Sequence, residues 1–116
     1  MSDKDRKQLT PEEQEAIDIR RIRIPQKNEV FGIVEQRLGG SRLRVRCFDN
    51  RTRVCRIPGS LKRFLWVREG DLVLVEPWEN LGEEKGDVVF KYNETQINYL
   101  KRRGYLKNYD EFSSEF

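Results

Sequence analysis

Five short segments that alternate polar and apolar residues, one helical turn between the third and fourth, and a capped amphipathic segment near the C-terminus predict the fold class. The chain is mainly β: a five-stranded OB-fold barrel with a C-terminal α-helix and flexible terminal tails. At 116 residues it holds one small domain. Apolar residues make up 36% and charged residues 37%, so the core has to be compact. The expected organisation is an N-terminal extension, partly disordered, over 1–28, the barrel over 29–92, the helix packed on it over 93–106, and an acidic, aromatic tail over 107–116.

The elements follow from the sequence in order. Thr10-Pro11-Glu12-Glu13 has the pattern of a helix start, with Thr at the N-cap, Pro at N1 and Glu at N3. A short helix to about Ile17 is one reading. The polar composition and terminal position favour a mostly disordered tail. Arg20, Arg21 and Arg23 then form a basic entry strip. Val30 to Leu38 is the first strand, with Gly32 marking a bend or bulge. After the Gly39-Gly40-Ser41 turn, Arg42 to Phe48 alternates in strict period two. Asp49-Asn50-Arg51 is a turn signal, and Thr52 to Ile57 is the third strand. Pro58-Gly59 ends it, and Ser60 to Phe64 forms the helical turn. Glu69-Gly70-Asp71 leads into Leu72 to Glu76, stopped by Pro77. A charged loop over 79–86 precedes the fifth strand, Asp87 to Tyr92. Asn93 at N-cap with Gln96 at N3 reads as a capping box opening a helix. Ile97 and Leu100 form its inward stripe, and Lys101, Arg102 and Arg103 suit the negative end of its dipole. Gly104 is a natural C′ residue, with Tyr105 and Leu106 packing back.

Composition excludes several classes. The longest apolar runs are four residues, Phe64 to Val67 and Leu72 to Val75, far short of the roughly 18 that span a membrane. The charged N-terminus lacks the apolar stretch of a signal peptide, so the cytoplasm is the expected compartment. The chain has no histidine, which removes His-based triads and His-ligated metals, and two cysteines are too few for a Cys₄ site. No metal or cofactor is expected. Charge is unevenly placed: residues 20–68 hold 14 basic and 3 acidic side chains, while both flanks are net negative and the whole chain is +3. One strongly basic segment is the footprint of a phosphate-binding surface.

The second strand carries the sharpest signal. Period two sends Leu43, Val45 and Cys47 to one face and Arg42, Arg44, Arg46 and Phe48 to the other. Same-face neighbours lie about 6.6–6.8 Å apart, close to the phosphate spacing of an extended strand. Charge runs are commonly just solvated faces. Here the one-sided charge and the aromatic in the same row favour nucleic-acid binding. A two-residue turn at Asp49-Asn50 turns Thr52, Val54 and Arg56 inward. A three-residue loop turns Cys55 and Ile57 inward and Arg56 outward, and the cost of burying Arg56 favours it. In that register Cys47 and Cys55 face each other across the strand pair, as reduced, buried, small apolar residues. Arg51 and Arg53 flank the turn, and Lys62, Arg63 and Arg68 extend the basic surface. Trp66 either stacks on a base or caps the barrel with Phe64, Leu65 and Val67, and its apolar neighbours favour the cap. Trp78, after Pro77, reads as packing. Gly39-Gly40 lacks a following Lys-Ser/Thr and reads as a hairpin turn rather than a phosphate loop.

Arg42-Leu43 through Cys47-Phe48-Asp49, Arg53-Val54-Cys55-Arg56-Ile57-Pro58-Gly59 and Trp66-Val67 together resemble the translation initiation factor 1A family, the archaeal form most closely. The similarity continues through Glu69-Gly70-Asp71, Gly86-Asp87-Val88-Val89 and Lys91-Tyr92-Asn93, and covers roughly residues 20–106. The resemblance implies a non-enzymatic, monomeric factor that binds rRNA of the small ribosomal subunit at the decoding A site. It also implies that the factor promotes subunit dissociation and acts indirectly on the initiator tRNA complex. Arg42, Arg53, Arg56, Lys62 and Arg63, with Trp66 nearby, match the family's RNA-contacting positions; Arg44, Arg46 and Phe48 join them from the strand pattern. Other initiation factors, including the subunit-joining GTPase, are implied partners of the C-terminal tail through Asp110, Glu111 and its Phe residues. Eukaryotic members carry strongly basic N-terminal tails and long acidic C-terminal ones; here residues 1–19 are net acidic and only 107–116 follow the helix. The same fold also suits a general single-stranded RNA chaperone of cold-shock type, and a basic face also suits docking on an acidic protein partner.

Overall fold

The computed structural model describes residues 8–62, 65–107 and 109. In chain order the elements are α1 (Pro11–Arg20), β1 (Val30–Gly39), β2 (Arg42–Cys47), β3 (Thr52–Arg56), β4 (Leu72–Pro77), β5 (Lys85–Lys91) and α2 (Glu94–Arg102). The strands close into a barrel in the order β1-β2-β3-β5-β4. All pairs are antiparallel except β3–β5, which is parallel. This is the predicted OB-fold, with strand ends displaced by one or two residues.

Closure rests on β1. Its first half, Val30 to Ile33, pairs with β4, and Gly32 to Gly39 pairs with β2. The register shifts fall between Val34 and Gln36 and between Arg37 and Gly39, so of the bend or bulge expected at Gly32 the bulge lies further along the strand. Gly32 is required for space instead: a Cβ there would sit 2.5 Å from Val45 Cγ1.

Two apolar clusters result. Inside the barrel lie Val34, Val45, Cys47, Cys55, Val73, Val75 and Val88, with Leu43, Ile57 and Val67 closing the end. Outside it, Phe31, Ile33, Leu72, Leu74 and Tyr92 meet Leu100 and Leu106 of the C-terminal segment. Phe31 to Val34 of β1 and Leu72 to Val75 of β4 are thus buried on both faces, one inside the barrel and one against the C-terminal segment. The capping box at Asn93 and Gln96 forms as predicted. Gly104 adopts φ +83°, and its N–H and that of Tyr105 bond to the carbonyls of Lys101 and Leu100, which ends α2 and turns Leu106 inward.

The β2–β3 connection is the three-residue loop. Arg42 pairs with Arg56, Leu43 with Cys55 and Val45 with Arg53, so Cys55 is inward and Arg56 outward. The same register corrects the cysteine expectation: Cys55 lies opposite Leu43, while the Cys47 N–H bonds to the Arg51 carbonyl. The two are on the same inner face but four residues apart along the ladder. Both are free thiols, and burial pushes that of Cys47 up to about 11.

Period two also carries Arg53 inward, where its side chain is only 4% exposed. Its guanidinium forms a bidentate pair with Asp49, at 3.0 and 2.8 Å, and its Nε donates to the Gly82 carbonyl. One arginine thereby ties the β2–β3 loop to the β4–β5 loop. Burial alone would push the Asp49 carboxyl up, but the Arg53 hydrogen bonds and charge outweigh it and hold it below the usual carboxylate range.

Residues 11–20, assigned from their polarity to a mostly disordered tail, form α1 with a complete Thr10–Glu13 capping box. No α1 residue is buried. Its anchors are polar groups elsewhere: Gln96 Nε2 donates to the Asp18 carbonyl at 2.9 Å, and the Tyr92 hydroxyl donates to the Arg23 carbonyl. Arg23 also pairs with Glu29 at 2.9 Å, and Ile22 packs on the outer cluster.

Two outcomes are expected. Gly32→Ala should lower the unfolding free energy by about 1–3 kcal/mol through overpacking, and by less in a Val45→Ala background, as read from urea denaturation of the four proteins. Asp49 contributes stability above the ordinary carboxylate range and loses it as pH falls through its depressed value. Asp49→Asn should therefore be less stable than the parent at pH 7, and the gap in melting temperature should close as pH drops below about 4.

Candidate nucleic-acid interface

Because Leu43, Val45 and Cys47 fill the barrel, Arg42, Arg44 and Arg46 line the outer face of β2. Arg42 is exposed, while Arg44 is half-buried and donates to Gln36 Oε1 at 2.6 Å. Arg46 is half-buried between Ile33 of β1 and Thr52 of β3. Arg56 stands directly across from Arg42, an unfavourable juxtaposition of like charge. It is offset by Asp87, whose Oδ1 lies 3.1 Å from Arg56 Nε.

Arg42 and Lys62 form a ridge between two clefts. The first, about 470 Å³, has Arg37, Arg42 and Lys62 on its rim, Leu43, Ile57, Leu65 and Val67 as apolar lining, and Trp66 as a wall. No carboxylate among the described residues lines it. Among the described residues, Arg37, Arg42 and Lys62 have no ion-pair partner. Trp66 is 71% exposed, so the expectation that it caps the barrel is overturned. Leu65 and Val67 turn in on either side of it and leave the indole outside. The second cleft, about 330 Å³, lies between Arg42, Arg56, Lys62, Lys85 and Trp78.

Two predicted site residues serve the fold instead. Phe48, expected in the outward row of arginines, packs on the outer cluster with its ring centroid 6.0 Å from that of Phe31. The face that is solvent at Arg42 is covered at this end of β2. Arg53, matched to an RNA-contacting position, is spent on Asp49 and Gly82 within the barrel wall. The third-strand register that turns Cys55 in necessarily turns Arg53 in too. Arg63, and the tail residues Asp110 and Glu111, lie outside the described residues. The structure adds Arg37 and Trp78 to the surface. Arg37 had no sequence signal beyond its charge, and Trp78 was read as packing because it follows a strand-ending proline.

Among the described residues, no group of three His, Cys, Asp or Glu side chains is placed to hold a metal ion, and no helix is long and apolar enough to cross a membrane. The candidate interface brings together cations, apolar floors and two exposed indoles. Groups of this kind can neutralise phosphates and stack on bases.

Residues 19–115 match the family model of translation initiation factor 1A / IF-1. The chain is 51% identical over 90 residues to translation initiation factor 1A of Methanothermobacter thermautotrophicus, covering 78% of this chain and 91% of that one. It is 50% identical over 103 residues to translation initiation factor 1A of Methanococcus maripaludis, covering 87% and 95%. With the family model spanning most of the chain and relatives of this identity matched over nearly their whole length, the chain belongs to the translation initiation factor 1A / IF-1 family.

Proposed function

We propose that the protein acts in the cytoplasm as a monomeric initiation factor that occupies the small ribosomal subunit at the decoding A site. In this reading it contacts rRNA through the Arg42–Lys62 ridge. Occupancy of that site promotes subunit dissociation, stabilises initiator Met-tRNA binding and supports start-site selection. It works by binding, with no covalent step. The observation that carries the reading is the first cleft: among the described residues, three cations without a carboxylate around an apolar floor, beside an indole left 71% exposed. The barrel gains nothing for its own stability from that arrangement, whereas an RNA strand supplies both the missing anions and a flat base for Trp66. Arg42, Lys62 and Arg37 would meet phosphates, Arg44, Arg46 and Arg56 would extend the contact across the barrel, and Trp66 would stack. Membership of the initiation factor 1A family directs the choice of RNA to the ribosome. Contacts of the C-terminal tail with other initiation factors, the subunit-joining GTPase among them, belong to the same proposal.

Co-sedimentation with small ribosomal subunits tests it, with free RNA at matched nucleotide concentration as competitor. The expected outcome is saturable binding near one per subunit that resists the competitor. Arg42→Glu combined with Lys62→Glu should abolish binding without lowering the melting temperature, since both side chains are exposed and Arg42 faces a like charge at Arg56. Replacing either by Gln should flatten the salt dependence of log K by about 0.7 for each phosphate no longer neutralised. A folded double-reversal protein that still binds subunits overturns the proposed face.

A further inference from the structure

The second cleft contains an arrangement that charge alone does not explain. Asp87 Oδ1 accepts two hydrogen bonds, from Arg56 Nε at 3.1 Å and from Trp78 Nε1 at 2.9 Å. The guanidinium carbon of Arg56 lies 5.2 Å from the centroid of the Trp78 ring. One carboxylate thus fixes an indole and a guanidinium against each other. The arginine is held by its Nε, and its side chain remains 58% exposed. A guanidinium backed by an aromatic ring and pinned at one edge has little rotamer freedom left to lose on binding. Around it, Arg42, Lys62 and Lys85 leave the cleft with a strong excess of positive charge, and Val54 and Ile57 supply an apolar floor.

We infer that the Trp78–Asp87–Arg56 unit is a second nucleotide subsite: it takes a base of a single RNA strand on the Arg56 plane, with the adjoining phosphate held between Arg42 and Lys62. The two clefts share that ridge, so consecutive stretches of one strand would meet Trp66 on one side and the Arg56–Trp78 stack on the other. Arg56 is the contacting residue; Asp87 and Trp78 are positioning residues that act through it. The inference rests on the RNA-contacting part of the proposed function and adds to it a specific place for a second base.

Asp87 makes the inference decidable. If Arg56 serves only as a free positive charge, removing the neighbouring carboxylate strengthens RNA binding and steepens its salt dependence. If Arg56 works as a held plane, removing that carboxylate weakens binding.

The test uses the full chain labelled with ¹⁵N and titrated with a single-stranded RNA hexanucleotide, following the two indole Nε1–H resonances. Both resonances should shift in the parent protein. Asp87→Asn should weaken the hexanucleotide affinity about tenfold, the scale expected when one base is no longer stacked. Arg56→Lys, which keeps the charge and loses the plane, should weaken it similarly with the salt slope unchanged. Arg56→Lys alters an exposed side chain and so remains informative should Asp87→Asn lower the melting temperature. A Trp78 resonance that stays put while that of Trp66 moves overturns the subsite, as does tighter binding by Asp87→Asn or no binding of the hexanucleotide by the parent. These outcomes are separate from the failure of the broader reading, which is the failure of the parent protein to co-sediment with small subunits.

Discussion

The double pairing of β1, with β4 through Val30–Ile33 and with β2 through Gly32–Gly39, governs how the rest of the molecule is arranged. A strand that serves both partners has to bend steeply. The missing side chain at Gly32 and two register shifts further along accommodate that bend. Once the sheet closes, the faces of every strand are assigned: one points into a narrow interior filled by valines, cysteines and leucine, and the other points out. Where β1 pairs with β4 the outward face is covered by the C-terminal segment, and at Arg42 and Arg56 of the β2–β3 pair it is left to water. A closed sheet also has no free edge to protect, so the arginines of β2 are not needed as guards against edge pairing.

Closure also explains the different fates of the basic residues. Arginine outside the β2–β3 pair costs the fold only like-charge repulsion, which Asp87 relieves at Arg56 and Gln36 moderates at Arg44. Arginine on the inner face must be fully satisfied. Arg53 meets that demand with three hydrogen bonds to two loops and becomes a structural tie. Among the described residues, Arg37, Arg42 and Lys62, which share one cleft with Trp66, have no ion-pair partner.

The N-terminal segment shows a second way of ordering a chain that has little to bury. α1 contributes no buried residue, yet its backbone and the strand entry beyond it are held by side chains that belong to α2 and to the end of β5. Tyr92 and Gln96 each spend a polar group on a carbonyl of this segment while their own bodies are buried in the outer cluster or beside it. The extension and the C-terminal helix therefore form one layer on the barrel.

The sequence by itself determined whatever local periodicity and capping chemistry decide. Alternation over 42–48 set which side chains of β2 face out, Asn93 with Gln96 set the start of α2, and Gly104 set its end. The cost of burying Arg56 did not by itself select the register of β3, since that register buries Arg53 instead. Family motifs over residues 20–106 pointed to the ribosome. Only the tertiary structure decided what depends on a distant partner. Phe48 obeys its period but finds Phe31 waiting on the outer face. Arg53, turned inward by the β3 register, is satisfied there because Asp49 and Gly82, the latter 29 residues away, receive it. Trp66 stays outside because its two neighbours fill the barrel end, and Trp78 becomes a platform because Asp87 and Arg56 arrive from β5 and β3. A local pattern specifies the direction of a side chain along its own strand; what it meets there is set by the strands and loops that closure brings against it.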